Sequence, residues 1–214
     1  MVRKSNNGSS AAAEAPPLFA ARARRYDARR DAILRAAAGI FRERGFAETG
    51  MRDIAVATDL SPANLYHYFK GKDEILFYCQ DRALDRMLAD IAGARRTVPG
   101  ASDRVRAVLV RHVLTMLDEV EGASAHLQVE ALAPALRARI VRKRDRYERA
   151  LRRLVAEGIR AGVFVDGNPA LLTRAMLGAL NWTVTWYRPQ GPQSPHQVAV
   201  AMADYLVRGL LREK

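Results

Sequence analysis

The stretch LSPANLYHYFKGKDEI, residues 60–75, decides the fold, because it surrounds one short helix with aromatic and polar side chains. Ser61 is a favoured N-cap and Pro62 suits the first helical turn, so we predict a helix over about residues 62–69. Consecutive residues of a helix point in different directions around its axis. Residues 66–69, Tyr-His-Tyr-Phe, therefore cannot all face one core.

Two side chains define the inner face of this helix. Leu65 and Phe69 are four positions apart and project to the same side. Tyr66, His67 and Lys70 then point outward, where a hydroxyl, an imidazole and an ammonium group can donate hydrogen bonds to phosphate oxygens. This arrangement indicates a surface for nucleic acid.

A second short helix is predicted immediately upstream, with Thr49 as its N-cap and its end near Thr58. Two short helices joined by a tight turn are typical of a helix-turn-helix, in which the second helix enters the major groove and its N-terminal residues meet base edges. Those residues are Pro62, Ala63 and Asn64. An asparagine can bond an adenine edge, and small apolar groups can contact a thymine methyl. The alternative is a helical hairpin with aromatic residues on its surface.

The rest of the chain shows helical periodicity and no convincing strand alternation, so the fold class is predicted to be all-α with about nine helices. Gly, Pro, Ser and Asn residues mark the boundaries between them. The predicted helices cover about residues 28–44, 49–58, 62–69, 71–92, 102–121, 124–133, 136–161, 169–188 and 195–211.

The net charge of +12 favours a polyanionic partner, and the charge is unevenly distributed. Residues 1–30 carry seven basic against two acidic residues, and residues 136–160 carry ten against three. Residues 31–73, which include the helix-turn-helix, carry six of each. DNA binding is therefore expected to depend on a few placed side chains and on the basic segment before Ala28, which we interpret as an arm for the minor groove.

Other function classes find little support in the sequence. Of its 214 residues 49% are hydrophobic, which suits a globular core, and the single cysteine, Cys79, excludes an intrachain disulfide and a multi-cysteine metal site. The four histidines lie on separate predicted elements, and no hydrolase, phosphate-loop or dinucleotide motif occurs. We predict no enzyme activity, no catalytic residue, no cofactor and no metal. Without a visible signal peptide or a bilayer-length apolar run, a soluble cytoplasmic protein with no membrane partner is expected.

Residues 33–76, ILRAAAGIFRERGFAETGMRDIAVATDLSPANLYHYFKGKDEIL, resemble the DNA-binding domain of the TetR family of transcriptional repressors. The resemblance lies in an Ile-Leu-x-Ala-Ala helix, a Phe-x-x-x-Gly-Phe corner, Thr-x-x-x-Asp-Ile-Ala and Leu-Tyr-x-Tyr-Phe-x-x-Lys. Two departures are Asp59, where the turn usually has glycine, and Pro62, where a basic or polar residue is common. The DNA contacts that the resemblance implies are Thr49, Arg52, Ser61, Pro62, Ala63, Asn64, Tyr66, His67, Lys70 and Lys72.

The resemblance also implies a domain organisation and an assembly. It implies a DNA-binding domain over residues 26–73 and a helical ligand-binding and dimerisation domain over residues 74–214. Residues 1–25, in which Ser, Asn, Gly, Ala and a Pro pair precede a basic run, are predicted from their composition to be a disordered basic extension. Members of the family bind near-palindromic double-stranded operators as homodimers, usually through a four-helix interface of the last two helices. A repressor of this kind leaves its operator when a small-molecule inducer binds.

The C-terminal half suggests an inducer class. Residues 179–210, ALNWTVTWYRPQGPQSPHQVAVAMADYLVRGL, are similar to the corresponding region of members that respond to acyl-CoA thioesters from lipid, sterol or aromatic-acid catabolism. Within the predicted helix 136–161, Arg144 shares a face with Ile140 and Tyr147. An arginine on an apolar stripe needs an anionic partner, either a CoA phosphate or a carboxylate. The carboxylates considered are Asp118, Glu119 and Glu130.

The predicted ligand site gathers side chains from three of the predicted helices. Its two tryptophans can line a pocket or fill a dimer core, and its histidine can be a core residue. The alternative is an efflux regulator of the same fold that responds to a hydrophobic, drug-like ligand. A cationic drug would favour acidic residues in the pocket, and the excess of seven basic residues over residues 136–160 argues against it. The residues predicted for the site are His112, Met116, Arg137, Arg144, Trp182 and Trp186.

Overall fold

The computed structural model describes residues 17–117 and 129–212. Within these residues the chain forms eight α-helices, which confirms the all-α fold class. Half of the predicted helix 124–133, residues 124–128, lies outside the described residues, and the other half contains a single 3₁₀ turn, Val129–Ala131, in place of an α-helix. The helices are α1 (Pro17–Arg44), α2 (Met51–Ala57), α3 (Pro62–Tyr66), α4 (Lys72–Thr97), α5 (Ala101–Leu117), α6 (Pro134–Arg160), α7 (Pro169–Trp186) and α8 (Pro195–Arg208).

The first helix begins earlier than predicted. Because α1 starts at Pro17, the prediction of disorder is wrong for residues 17–25. The segment is rich in alanine and arginine, which are strong helix formers, and proline is favoured at the first helical position. A helix about 10 Å wide is too broad to lie within a minor groove about 6 Å wide, so residues 17–27 would reach one only through their side chains. The first 16 residues of the predicted arm lie outside the described residues.

The N-terminal unit packs α1, α2 and α3 against the start of α4. Gly45 ends α1 with a φ of 85°, the left-handed conformation that glycine adopts without strain. Asp31 of α1 forms a salt bridge with Arg82 of α4, which ties the unit to the rest of the protein. Its core contains Ile33, Ala37, Phe41, Ile54, Leu65, Phe69 and Ile75, all buried.

Helices α4 to α8 form a bundle with α5 in contact with α4, α6, α7 and α8, while α6 also packs on α4 and α7. The predicted starts of the last two helices are confirmed. The Asn168 side chain accepts from the N–H groups of Ala170 and Leu171, and Ser194 accepts from Gln197 N–H. Both caps satisfy backbone donors that a helix start leaves unpaired.

The end of α6 meets the C-terminus through one close contact. A Cβ at Gly158 would lie 2.1 Å from the buried Phe164 ring, so only glycine fits there. Val165 N–H donates to Leu210 O at 2.8 Å, which joins the α6–α7 connection to the chain end. Among the helices described, none combines the length and apolarity that crossing a bilayer requires.

Candidate functional site

Helix α3 has a buried inner side and an exposed outer side. Leu65 and Phe69 are 0% and 1% exposed, as predicted, whereas Tyr66 is 54% exposed. The Ser61 hydroxyl accepts from Asn64 N–H at 3.2 Å, which confirms the predicted N-cap. The helix ends at Tyr66, and in the turn that follows the N–H groups of Tyr68 and Phe69 both donate to Leu65 O. The predicted DNA contacts that are exposed are Arg52, Ser61, Pro62, Ala63, Asn64, Tyr66, His67 and Lys70.

The turn before α3 accommodates its unusual residue. Asp59 has a φ of 51°, in the left-handed region that aspartate adopts more readily than most residues with a side chain. Leu60 N–H donates to Ala55 O at 2.9 Å, and Arg29 of α1 donates to Thr58 O at 2.7 Å. The turn is therefore held at both ends, and the departure from glycine leaves its geometry intact.

Thr49 does not have the role predicted for it. Its side chain is 1% exposed, and its hydroxyl donates to Gly45 O at 2.7 Å. The N-cap of α2 is Gly50, whose N–H donates to Asp53 Oδ2 at 2.7 Å. The predictions that Thr49 caps α2 and presents its side chain to DNA are wrong, because the hydroxyl is bonded inside the α1–α2 corner.

Lys72, which is predicted to contact a phosphate, is bonded inside the protein. Its ammonium group donates to the carbonyl oxygens of Phe46, Ala47 and Thr49 at 2.9, 3.1 and 2.9 Å, and Nζ lies 4.6 Å from the centre of the Phe46 ring. An ammonium group has three donors, so this set uses all of them. Lys72 therefore holds the α1–α2 corner against the start of α4, and its role as a phosphate contact stays a prediction.

Sequence reasoning missed the support that α1 gives to the recognition helix. The Tyr26 ring stacks on Tyr68 with centroids 5.0 Å apart. The Arg30 guanidinium lies 5.0 Å from the Phe69 ring centre and 4.5 Å from the Tyr78 ring centre. Nothing local in the sequence signals these contacts, because they join residues more than 38 positions apart.

A cavity of about 400 Å³ lies between α4, α5, α6 and α7. This volume is within the range of small-molecule sites, which are mostly apolar with a few placed polar groups. Of the predicted ligand residues, the structure brings together His112, Met116 and Arg144 there. The lining side chains are Leu84, Met87, His112, Met116, Arg144, Asp145, Tyr147, Glu148, Leu177 and Asn181.

A hydrogen-bonded chain crosses three helices at the cavity wall. His112 Nδ1 lies 2.9 Å from Tyr147 Oη, and His112 Nε2 lies 3.1 Å from Asn181 Oδ1. A neutral imidazole satisfies both bonds, with Nε2–H donating to Asn181 and Nδ1 accepting from the tyrosine hydroxyl. Burial lowers the pKa of His112 to about 4, and burial together with the Asp90 charge raises the pKa of Tyr147. The chain is therefore uncharged near neutral pH.

Charged groups line the same cavity on α6. Burial lowers the pKa of the Arg144 guanidinium, whose Nη2 donates to Gln80 Oε1 at 3.4 Å. Glu148 Oε2 lies 4.0 Å from Arg152, whereas its buried Oε1 has no hydrogen-bond partner in the described part of the chain. Asp145 adds a second carboxylate to the lining. The charged groups of α6 thus offer a ligand one donor, the Arg144 guanidinium, and two acceptors, the carboxylates of Asp145 and Glu148.

Three predicted ligand residues lie elsewhere, and those predictions are corrected. Arg137 is exposed and bonds Glu130 at 2.6 Å, beside a separate surface depression. Trp182 and Trp186 are 63% and 43% exposed and do not line the cavity. Their side of α7 faces away from the bundle because Met176, Leu180 and Thr183 occupy the inner side.

Two family models cover most of the described chain. Residues 33–79 match the model of bacterial regulatory proteins of the tetR family, and residues 99–210 match the tetracyclin repressor-like C-terminal domain. The protein belongs to the TetR family of transcriptional regulators. The exposed outer side of α3 is therefore part of a TetR-type helix-turn-helix, and the cavity lies in a TetR-type C-terminal domain.

Relatives and solved structures match 84–86% of this chain. The HTH-type transcriptional repressor KstR2 of Rhodococcus jostii is 28% identical over 191 residues, which are 85% of this chain and 91% of KstR2. The structure of PfmR from Thermus thermophilus is 36% identical with a TM-score of 0.76, over 84% of this chain and 99% of PfmR. AibR, solved with isovaleryl coenzyme A and operator DNA, has 24% identity and a TM-score of 0.73, over 86% and 98%.

Proposed function

We propose that this TetR regulator is a repressor that binds a palindromic operator as a homodimer in the cytoplasm and is released by a small-molecule inducer. The observation that carries the proposal is the exposed outer side of α3, anchored by Leu65 and Phe69. In this division of roles, residues 26–73 bind DNA, and residues 74–214 bind the inducer and the second subunit.

The operator contacts follow from the order of residues along α3. Pro62, Ala63 and Asn64 are at the leading end, where a recognition helix meets base edges. Tyr66, His67 and Lys70 follow and are exposed, which suits donation to phosphates. The first group would set sequence preference, and the second would set affinity.

The homodimer is supported by an apolar face that the single subunit leaves uncovered. Leu171 and Trp182 of α7 are 67% and 63% exposed, and Tyr205 of α8 is 75% exposed. Gly178, also exposed, lies between Leu171 and Trp182 and permits a close helix approach. Exposed aromatic and apolar groups of this kind mark protein interfaces, and a two-fold pairing would bury both copies.

The inducer is proposed to be an acyl-CoA thioester. The cavity combines Leu84, Met87 and Met116 with the polar groups of the histidine chain, which suits an acyl group with a carbonyl. AibR binds isovaleryl coenzyme A, and Arg144 would meet an anionic part of such a ligand here. A cavity of about 400 Å³ holds the acyl part, so the nucleotide would lie toward the opening.

A second candidate, an efflux regulator with a hydrophobic drug-like inducer, is favoured by one observation. Asp145 and Glu148 line the cavity, and Glu148 Oε1 is buried without a hydrogen-bond partner in the described residues. A cationic or hydrogen-bond-donating ligand would satisfy this oxygen. In both cases release is a linkage effect, because the ligand prefers the dimer form whose recognition helices do not fit DNA, with α4 as the connecting lever.

The test is a gel shift on the DNA flanking the protein's own gene, with panels of acyl-CoA esters and hydrophobic cations. We expect His67→Ala to weaken the shift without ligand, and Arg144→Gln to remove the response to acyl-CoA. Glu148→Gln is the matched control, which should leave the acyl-CoA response and remove any cation response. A shift that persists with every ligand overturns the inducer proposal, whereas no shift at any DNA overturns the repressor proposal.

A further inference from the structure

The outer face of α6 carries a row of arginines that the proposed operator and inducer sites do not use. The arginines are exposed and spaced alternately by three and four residues, so they share one side of a helix with 3.6 residues per turn. At about 1.5 Å per residue the row is about 21 Å long. The arginine row consists of Arg139, Arg142, Arg146, Arg149 and Arg153.

Within the described residues, no acidic residue of α6 forms a salt bridge with an arginine of this row. Asp145 and Glu148 line the cavity, and Glu157 forms salt bridges with Arg95 and Arg104. In the part of the chain that the structure describes, the last four arginines of the row form no salt bridge and no side-chain hydrogen bond. Like charges three and four residues apart slightly destabilise a helix, so a polyanion beside the row would stabilise it.

One end of the row adjoins the DNA-binding region. The Arg139 guanidinium lies 4.6 Å from the ring centre of Phe77 near the start of α4. Leu136, one turn before Arg139, lines a surface depression together with Lys70, Gly71, Asp73 and Glu74, so one basic and two acidic side chains meet there. Since Lys70 is a proposed phosphate contact, the row continues from the edge of the proposed operator surface along α6.

We propose that the arginine row binds the phosphate backbone of DNA that flanks the operator. The inference rests on the proposed operator binding and extends it to a second, sequence-independent surface. Residues 31–73 have no net charge, so the helix-turn-helix itself supplies little of the long-range attraction that DNA binding usually depends on. Arginine suits this role because its guanidinium bonds phosphates in pairs and stays charged.

The geometry favours flanking DNA over a membrane surface. A helix that lies in a membrane interface exposes large apolar side chains beside its basic ones. The large apolar side chains of α6, including Ile140, Leu151 and Leu154, are instead buried in the bundle. Reaching the row requires the DNA to curve toward the protein, and a row of phosphate contacts offsets the cost of bending.

The test compares two lengths of one operator. The operator is selected from a random pool with the intact protein and prepared as a minimal duplex and with about 20 bp of random flank on each side. The variant R142Q/R146Q/R149Q/R153Q should bind the long duplex about ten-fold or more weakly, and its salt slope should be shallower by about 0.9 for each lost contact. Its affinity for the minimal duplex should stay within about two-fold of the intact protein.

Three further measurements separate the explanations. Lysine at the same four positions keeps the charge and should retain most of the gain on the long duplex. The double variant R96Q/R188Q removes two exposed charges elsewhere and should have less effect than R146Q/R149Q. The inference would be overturned if the intact protein bound both duplex lengths with equal affinity, or if the four-fold glutamine variant lost the same affinity on both lengths. It would also be overturned if the variant lost binding to anionic vesicles but not to DNA. Each of those outcomes leaves operator recognition by the intact protein standing.

Discussion

The recognition surface and the cavity are built in opposite ways. The recognition surface takes its exposed side chains from one stretch, residues 52–70, and presents them to solvent. The cavity takes its lining from four helices between Leu84 and Asn181, and its central polar groups bond one another. Exposed charges respond to salt, whereas buried neutral groups respond to pH. The two regions should therefore be separable by solution conditions as well as by mutation.

Lys72 tests the difference between the exposed recognition surface and the internally bonded cavity, because it adjoins the first and is bonded like the second. It lies within two positions of exposed Lys70 yet gives all three donors to backbone carbonyls. We expect Lys72→Met to lower the free energy of unfolding by about 4 kcal/mol, because three charge-assisted hydrogen bonds are lost. Urea unfolding measures this directly.

The matched control for Lys72→Met is Lys70→Met, which removes the same charge from an exposed position. It should leave the free energy of unfolding within about 0.5 kcal/mol of the intact protein. If Lys72→Met keeps full stability and weakens only DNA binding, the phosphate role inferred from the family resemblance is right and the corner-holding role is wrong.

The same locality explains which predictions succeeded. The inward position of Leu65 and the cap at Ser61 are determined by residues within one turn of α3. Phe69 is buried as predicted although it lies beyond the end of α3 at Tyr66, where its N–H donates to Leu65 O at 3.1 Å. Thr49 and Lys72 were placed by analogy with a motif, and their hydrogen bonds run to the α1–α2 corner. The motif predicts where along the chain a residue lies, but the packing of the α1–α2 corner determines which acceptor its donor group bonds.

In the C-terminal half, periodicity identified apolar faces without identifying what covers them. Arg144 and His112 lie on faces that point into the bundle, so their placement at the cavity followed from spacing. Trp182 and Trp186 lie on α7, which is apolar around most of its circumference, so spacing left the pocket and the dimer surface equally open. Only the packing of α7 against its neighbours shows that these side chains face outward.

The cavity should make the stability of the protein depend on pH through His112. His112 has a pKa of about 4 in the folded protein, against about 6.5 in the unfolded chain. Between these values the unfolded chain binds a proton that the folded protein does not, so stability is lost as the pH falls. We expect the free energy of unfolding to decrease by about 3 kcal/mol from pH 7 to pH 4 because of this group.

Urea unfolding at several pH values measures this dependence, and His112→Gln supplies the control. A glutamine can still donate to Asn181 and accept from Tyr147, but it does not titrate. The variant should flatten the pH dependence between pH 6.5 and 4 relative to the intact protein. If the stability of His112→Gln depends on pH as steeply as that of the intact protein, then His112 is already charged, or accessible to protons, in the folded state.

The smallest expected effect belongs to the recognition surface. Lys70 is exposed, and its backbone N–H donates to Glu74 Oε2 at 2.6 Å, whereas its ammonium group forms no hydrogen bond or salt bridge within the described residues. Lys70→Ala should cost about 1 kcal/mol of binding free energy on operator and random DNA alike, because a phosphate contact carries no sequence information. The salt slope should become shallower by about one unit per contact, as fewer counterions are released. A loss confined to the operator would place Lys70 at a base edge instead, and would make the outer side of α3 more specific than its charge alone implies.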